Sequence, residues 1–171
     1  MVRNVIERKV VTMSENANAI ILASDMEASR VALKNAPVMV RKEVAEAGMF
    51  ASVAEADELK RKALTYNATQ ETIPMRDLID TGEVIKPKGV IIRVDQLEDE
   101  DGKIDSVPCV IIITDDDKAY MSHSAMILNS IAALIATYGE DVGMWPDGIR
   151  LAVIENKSAK GRRFHRLKIV F

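Results

Sequence analysis

Hydrophobic and polar positions alternate most clearly at the end of the chain. Over Ile149–Ile154, apolar side chains recur at every second position, which is typical of a half-buried strand. Asn156–Gly161 is polar and contains a glycine, which indicates a turn. Apolar residues then return at Phe164, Leu167, Ile169 and Phe171. The pattern predicts two strands joined by a turn.

Between residue 73 and this hairpin, the pattern changes from strands to a helix and back. Strands are predicted at Val84–Val94, Val107–Thr114 and Lys118–Ser122, with Asp101-Gly102 as a hairpin turn and a bend or bulge near Pro87 and Gly89. Ser124–Tyr138 has apolar residues at the helical repeat and ends at Gly139. The fold class expected is α+β: a five-stranded OB-like Greek-key barrel with a helix between strands 3 and 4. A mixed sheet packed against one helix fits the same order.

The first part of the chain has a different residue pattern, which is helical. Alanine- and methionine-rich segments at Asn18–Ala36, Val38–Ala47 and Val53–Tyr66 predict short helices. The polar stretch Asn67–Pro74 is the best boundary. We therefore expect residues 1–72 to be a helical N-terminal region that packs on the rest or on a neighbouring chain. The alternative is a partly ordered extension. Residues 73–171 are then the OB-like nucleic-acid-binding domain.

Composition narrows the setting of the protein. The 171 residues are 48% hydrophobic and 29% charged, with a net charge of −3, which is ordinary for a globular protein. The sequence contains no apolar run long enough to span a membrane and no signal-peptide pattern at its start. Its one cysteine, Cys109, lies in an apolar run and is expected to be buried. These features predict a cytoplasmic protein that does not associate with membranes.

No pattern in the chain favours catalysis. The sequence lacks a nucleophile elbow, a phosphate-binding loop, an HExxH motif and a CxxC motif. His123 and His165 are far apart, and Asp115–Asp117 is better explained as a hairpin turn than as a magnesium site. We expect no enzymatic activity, no cofactor and no metal.

The C-terminal hairpin carries the strongest functional signal. From Gly148 to Phe171 there are seven lysines and arginines and one acid, Glu155, on a chain that is acidic overall. A cationic hairpin of this kind fits a nucleic acid, and single strands also need aromatic faces for base stacking. A solvated, aggregation-resistant edge is the alternative. The predicted nucleic-acid-binding residues are Arg93, Lys118, Tyr120, Arg150, Lys157, Lys160, Arg162, Arg163, Phe164 and Arg166.

The register of the last strand can also be predicted. Leu167, Ile169 and Phe171 form the expected buried set, while Phe164 shares its face with Arg162 and Arg166. One simple alternation cannot satisfy both sets, so a bulge near Arg166-Leu167 is expected. Tyr120 and Phe164 are the stacking candidates, and each could equally belong to the core.

Three consecutive segments resemble bacteriophage single-stranded DNA-binding proteins with an OB-fold. They are the helix SAMILNSIAALIATYG, the linker EDVGMWPDG and the closing strands IRLAVIENKSAKGRRFHRLKIVF. The resemblance covers roughly residues 73–171. It implies sequence-tolerant binding of single-stranded DNA in phage replication or recombination, in the host cytoplasm, with replication or recombination proteins and a homo-oligomer as possible partners.

Two features depart from this resemblance. The chain ends on a strand rather than on the acidic tail of many single-stranded DNA-binding proteins, and residues 1–72 are outside the pattern. The alternative function is a phage structural or assembly module whose N-terminal helices make subunit contacts.

Overall fold

A computed structural model describes residues 21–171. Residues 18–20, the start of the predicted helical segment Asn18–Ala36, lie outside the described residues. The elements, in chain order, are α1 (Ala23–Lys34), α2 (Val38–Ala47), β1 (Met49–Val53), α3 (Glu58–Gln70), β2 (Ile73–Pro74), α4 (Asp77–Thr81), β3 (Pro87–Glu98), β4 (Ile104–Thr114), β5 (Ala119–Ser122), α5 (Ala125–Tyr138), a short 3-10 helix (Val142–Met144), β6 (Arg150–Lys157) and β7 (Arg163–Val170). No helix in this range is long and apolar enough to cross a membrane.

The strands form one five-stranded sheet and one separate hairpin. The sheet order is β1-β3-β4-β5-β2, in which β2 runs parallel to β5 and the other pairs are antiparallel. Within the described part of the chain, strands β6 and β7 pair only with each other, apart from a single bridge between Ile85 and Leu151. The α+β class is confirmed, and from β3 onward the order of three strands, a helix and two strands is as predicted. The sheet is not closed into a barrel, so the OB-like Greek-key closure is not confirmed.

Three bends and turns predicted from the sequence are present in the sheet. The ladder between β3 and β4 shifts register between Pro87 and Gly89, as predicted, and a Cβ at Gly89 would lie 3.0 Å from Val53 Cγ2. Gly102 has a φ of +81° at the tip of the β3–β4 hairpin, which favours glycine there. The turn predicted at Asp115–Asp117 is also present, with the Asp117 N–H donating to the Thr114 carbonyl (2.9 Å).

Both faces of the sheet are buried. Helix α5, capped by Ser124, packs Ile127, Leu128, Ile131, Leu134 and Ile135 into the main core, together with Val90 and Ile92 of β3. The opposite face carries a smaller cluster that contains Ile91, Cys109 and Ile111, with Ala68 of α3 against it. Cys109 is buried as predicted. Alternation along β3 therefore assigns each of its residues to one of two packed faces.

The N-terminal elements pack on this sheet. Strand β1, which the sequence pattern missed, pairs with β3, and α1 contributes the buried Met26 to a cluster with Leu97 and Val107. Helix α3 begins later than predicted, and Leu59 in its first turn is 78% exposed. The division of the chain at residue 72 stays a prediction.

Candidate nucleic-acid interface

Strands β6 and β7 form a regular antiparallel ladder. It runs from the pair Arg150 and Val170 to the pair Lys157 and Arg163 without a register shift. The bulge predicted near Arg166-Leu167 is therefore wrong. Simple alternation holds along both strands, so each residue can be assigned to one of two faces.

The inner face of the hairpin packs on the protein. Leu151, Val153 and Leu167 are buried in the main core, and Ile169 packs against it. Phe171 was predicted to join this set, but it is fully exposed because it follows the last paired residue, Val170. Beyond the core, the inner face continues toward the turn with polar side chains.

The other side of the hairpin, here called the outer face, combines cations with apolar surface. By alternation it carries Phe164, Arg166 and Lys168 of β7, opposite Asn156, Ile154 and Ala152 of β6. Arg150 and Val170 complete it, and none of these eight residues is acidic. Phe164 and Arg166 share a face as predicted, and Phe164 is half-buried. With the Asn156 amide oriented to satisfy both of its ends, its oxygen accepts from Arg166 Nε at 2.7 Å.

The turn of the hairpin presents further cations on a fixed backbone. Gly161 has a φ of +77°, and its N–H donates to the Ser158 carbonyl (2.8 Å). The Ser158 N–H donates to the Arg162 carbonyl (2.8 Å), and the Arg162 N–H donates to Ser158 Oγ (3.1 Å). Lys160 lies in this turn and is exposed. The short hydrogen-bonded turn therefore holds Lys160 and Arg162 close together.

The hairpin cations differ in whether they already have an acidic partner. Arg163 lies 3.3 Å from Glu155, which also lies 3.5 Å from His165 Nε2. Arg162 forms an ion pair with Asp25 of α1. Within residues 21–171, no carboxylate lies within ion-pair distance of the five remaining hairpin cations. One of them, Arg150, already donates to the carbonyls of Asp147 and Ile149. The other four are the cations most available to an external anion: Lys157, Lys160, Arg166 and Lys168.

Three predicted site residues lie away from the hairpin. Arg93 lies two residues after Ile91 on β3 and therefore shares its face, which is the sheet face opposite the main core. Lys118 is at the β4–β5 turn, 3.2 Å from Asp116 Oδ2. Tyr120 is only 4% exposed in the main core, which leaves no face for a base. The structure therefore does not bring these three onto one surface with the hairpin.

Arg93 belongs to a half-buried network of polar side chains. Its Nε lies 2.9 Å from Asp95 Oδ1, and Asp95 Oδ2 lies 2.8 Å from His123 Nε2. Burial alone would raise the pKa of Asp95, but the His123 hydrogen bond and the Arg93 charge outweigh it and lower that pKa. Burial raises the pKa of the neighbouring Cys109 thiol, and Asp95 adds to this. Asp95, Cys109 and His123 offer ligand atoms within 4.8 Å of one another. The Arg93 charge already balances Asp95, which favours an ion-pair network over a metal site.

Sequence reasoning left out two residues that the structure brings to the hairpin surface. Lys168 lies on the same face of β7 as Phe164 and Arg166, because the ladder has no register shift. A prediction of simple alternation, without the bulge, would have identified it. Asp25 is the partner of Arg162, and no local pattern indicates that contact, because the two residues lie at opposite ends of the chain.

Comparison with known proteins gave one match. Residues 44–170 match the family model described as "Phage Single-stranded DNA-binding protein". No curated protein and no solved structure matches the chain. The matched range starts within α2 and includes the whole five-stranded sheet, α5 and the basic hairpin.

Proposed function

The chain belongs to the family of phage single-stranded DNA-binding proteins, and we propose that it binds single-stranded DNA through the outer face and the turn of the β6–β7 hairpin. The observation that carries this assignment is the outer face itself. It presents Phe164 beside Arg166 and Lys168 with no acid among them. Sequence-tolerant binding requires this combination, because cations follow the phosphates and an aromatic face stacks on any base.

The cations of the hairpin divide into two roles in this proposal. Arg166 and Lys168 follow Phe164 on the same face of β7 and bind the phosphates next to a stacked base. Lys160 and Arg162 extend the positive surface into the turn, and Lys157 and Arg163 lie beside the turn on the inner face. Arg150 lies at the other end of β6, where its Nη1 donates to the Asp147 carbonyl (3.0 Å), so it marks the far limit of the surface.

We further propose that the sheet and the hairpin are a distorted relative of the OB-fold. The support is the bridge between Ile85 and Leu151, whose two N–H groups donate to each other's carbonyls at 2.9 and 2.8 Å. It joins the start of β6 to the segment that leads into β3. The order of the elements along the chain from β3 onward, with α5 between the third and fourth of these strands, also fits that fold.

The biological role follows from the family and stays a proposal. We propose that the protein coats single-stranded DNA during phage DNA replication or recombination in the host cell, without catalysis. Replication or recombination proteins and further copies of this chain are the expected partners.

Fluorescence-anisotropy titration with labelled single- and double-stranded oligonucleotides tests the function. We expect binding to single strands, with log K falling by about 0.7 per phosphate contact for each unit of log salt. Weak dependence on base sequence is also expected. Retained binding with a flat salt response would contradict the phosphate contacts. Failure to bind any oligonucleotide at low salt would favour a structural or assembly role instead.

A further inference from the structure

Helix α1 carries an acid to the turn of the basic hairpin. Asp25 lies in its first turn and forms an ion pair with the Arg162 guanidinium. The two side chains are 49% and 54% exposed, so the pair lies at the surface. A guanidinium binds carboxylate and phosphate oxygens with the same geometry. The Asp25 carboxylate therefore marks a position where an oxyanion fits the hairpin turn.

The helix that carries Asp25 is firmly attached. Met26 is 1% exposed and packs with Leu97 and Val107, and Ser29 Oγ donates to the His123 carbonyl (2.5 Å). Asp25 is thus held near the turn by neighbours that do not depend on the ion pair.

Two further contacts join α1 to the β3–β4 hairpin. Arg30 Nη1 donates to the Ser106 carbonyl (3.2 Å), and the Ala23 N–H donates to Glu100 Oε2 (2.8 Å). The first turn of α1 therefore touches the acidic tip of one hairpin and the basic turn of the other. This places acids from two elements beside the predicted DNA path.

From this arrangement, which rests on the proposed function, we infer that Arg162 forms a phosphate subsite and that Asp25 competes with DNA for it. Displacement requires only that the Asp25 side chain rotate into solvent, because the helix stays packed through Met26. Lys160, which lies in the same turn and has no carboxylate within ion-pair distance among residues 21–171, favours a phosphate over a carboxylate through its added charge. Helix α1 precedes the range that matches the family, so the competing acid Asp25 lies outside the match, whereas Arg162 lies inside it.

The test compares two variants that remove the same charge from the same helix. Asp25→Asn frees Arg162, whereas Glu27→Gln removes an acid that pairs with Arg30 (2.8 Å) and not with the hairpin. The probe is a labelled oligothymidylate of about 20 nucleotides, which is longer than the roughly 4–16 nucleotides that one OB-fold covers. At low salt we expect Asp25→Asn to bind about two- to fivefold more tightly than wild type, in line with an exposed ion pair. Glu27→Gln should bind like wild type.

A second background separates the subsite from a general charge effect. In an Arg162→Ala background, the Asp25→Asn change should no longer raise the affinity for single-stranded DNA, because the cation for which Asp25 and DNA compete is absent. Equal gains from Asp25→Asn and Glu27→Gln, or a gain that persists in Arg162→Ala, would overturn the inference and leave the proposed function intact. Absence of binding by wild type and all variants would overturn both. Melting curves for each variant confirm that differences in binding are not differences in folding.

Discussion

The two long hairpins of the molecule use their charged side chains in opposite ways. At the acidic β3–β4 tip, Asp99 is 5% exposed and accepts hydrogen bonds from the backbone N–H groups of Asp101 and Lys103, each at 2.9 Å. Glu100 accepts from the Ala23 N–H. The acids of this hairpin shape its own turn and hold α1.

The basic β6–β7 hairpin leaves much of its charge unused by the fold. Its turn is closed by Ser158 and Gly161 through backbone groups and one hydroxyl, not through the cations. Lys157, Lys160 and Lys168 are exposed. The comparison indicates that charge serves folding in the first hairpin, whereas in the second it leaves cations free for the external partner that we propose.

The largest expected effect comes from removing the unused charge. Replacing Lys157, Lys160, Arg166 and Lys168 together with alanine should lower single-strand affinity by roughly two to three orders of magnitude at about 0.1 M salt. The salt slope should fall by up to about 0.7 for each lost phosphate contact. Anisotropy titrations at several salt concentrations measure both quantities.

The matched control removes the same charge elsewhere. Lys34, Lys42, Lys60 and Lys62 are exposed on helices α1, α2 and α3, away from the hairpin. Their fourfold alanine variant should keep most of the affinity and the full slope. Equal losses in the two variants would show that net charge, and not the hairpin, determines binding.

A smaller effect isolates stacking from charge. Phe164→Ala should weaken single-strand binding about tenfold, since stacking on one aromatic contributes roughly 1–3 kcal/mol. The salt slope should stay nearly unchanged, because no cation is lost. Phe171→Ala is the control, because Phe171 is also aromatic but is fully exposed and follows the end of the ladder. If Phe164→Ala bound normally and mainly lost melting temperature, Phe164 would belong to the core.

The sequence pattern predicted elements whose signal is local. Helix α5 and strand β4 were predicted within a few residues, because periodicity and β-branched runs lie within each segment. Strand β1 was missed because its five residues, MFASV, have no strong strand pattern, and its pairing with β3 fixes it. Barrel closure was predicted from element order alone, and order does not determine which edges pair.

The candidate site was also predictable only where its signal is local in the sequence. A count of charges identified the basic hairpin, and alternation placed Phe164 beside Arg166. The sequence left Tyr120 open between stacking and the core, because only its pairing with Ile112 in the sheet shows that it faces the core. The contact between Asp25 and Arg162 depends on the packing of α1, which a sequence pattern does not contain.

The smallest expected effect concerns an acid that serves the fold of the acidic hairpin. Asp95 lies on β3, next to Arg93 and His123, and its pKa is lowered in the folded protein. A carboxyl whose folded pKa lies below its unfolded value, about 3.9, stabilises the protein above that pH. This contribution is lost as the pH falls from about 4 through the folded pKa. Urea unfolding at pH 7, 5, 4 and 3 should therefore show a drop at the acidic end.

The Asp95→Asn variant tests the assignment of that drop. It should be less stable than wild type at pH 7, because Arg93 and His123 lose their charged partner, and the gap should narrow toward pH 3. Asp101→Asn removes an exposed tip carboxylate and should follow the wild-type curve. A gap between wild type and Asp95→Asn that stays constant with pH would show that Asp95 contributes through packing and not through its charge. Single-strand affinity at pH 7 should be the same in all three proteins, because Asp95 contacts Arg93 and His123 and neither residue belongs to the hairpin.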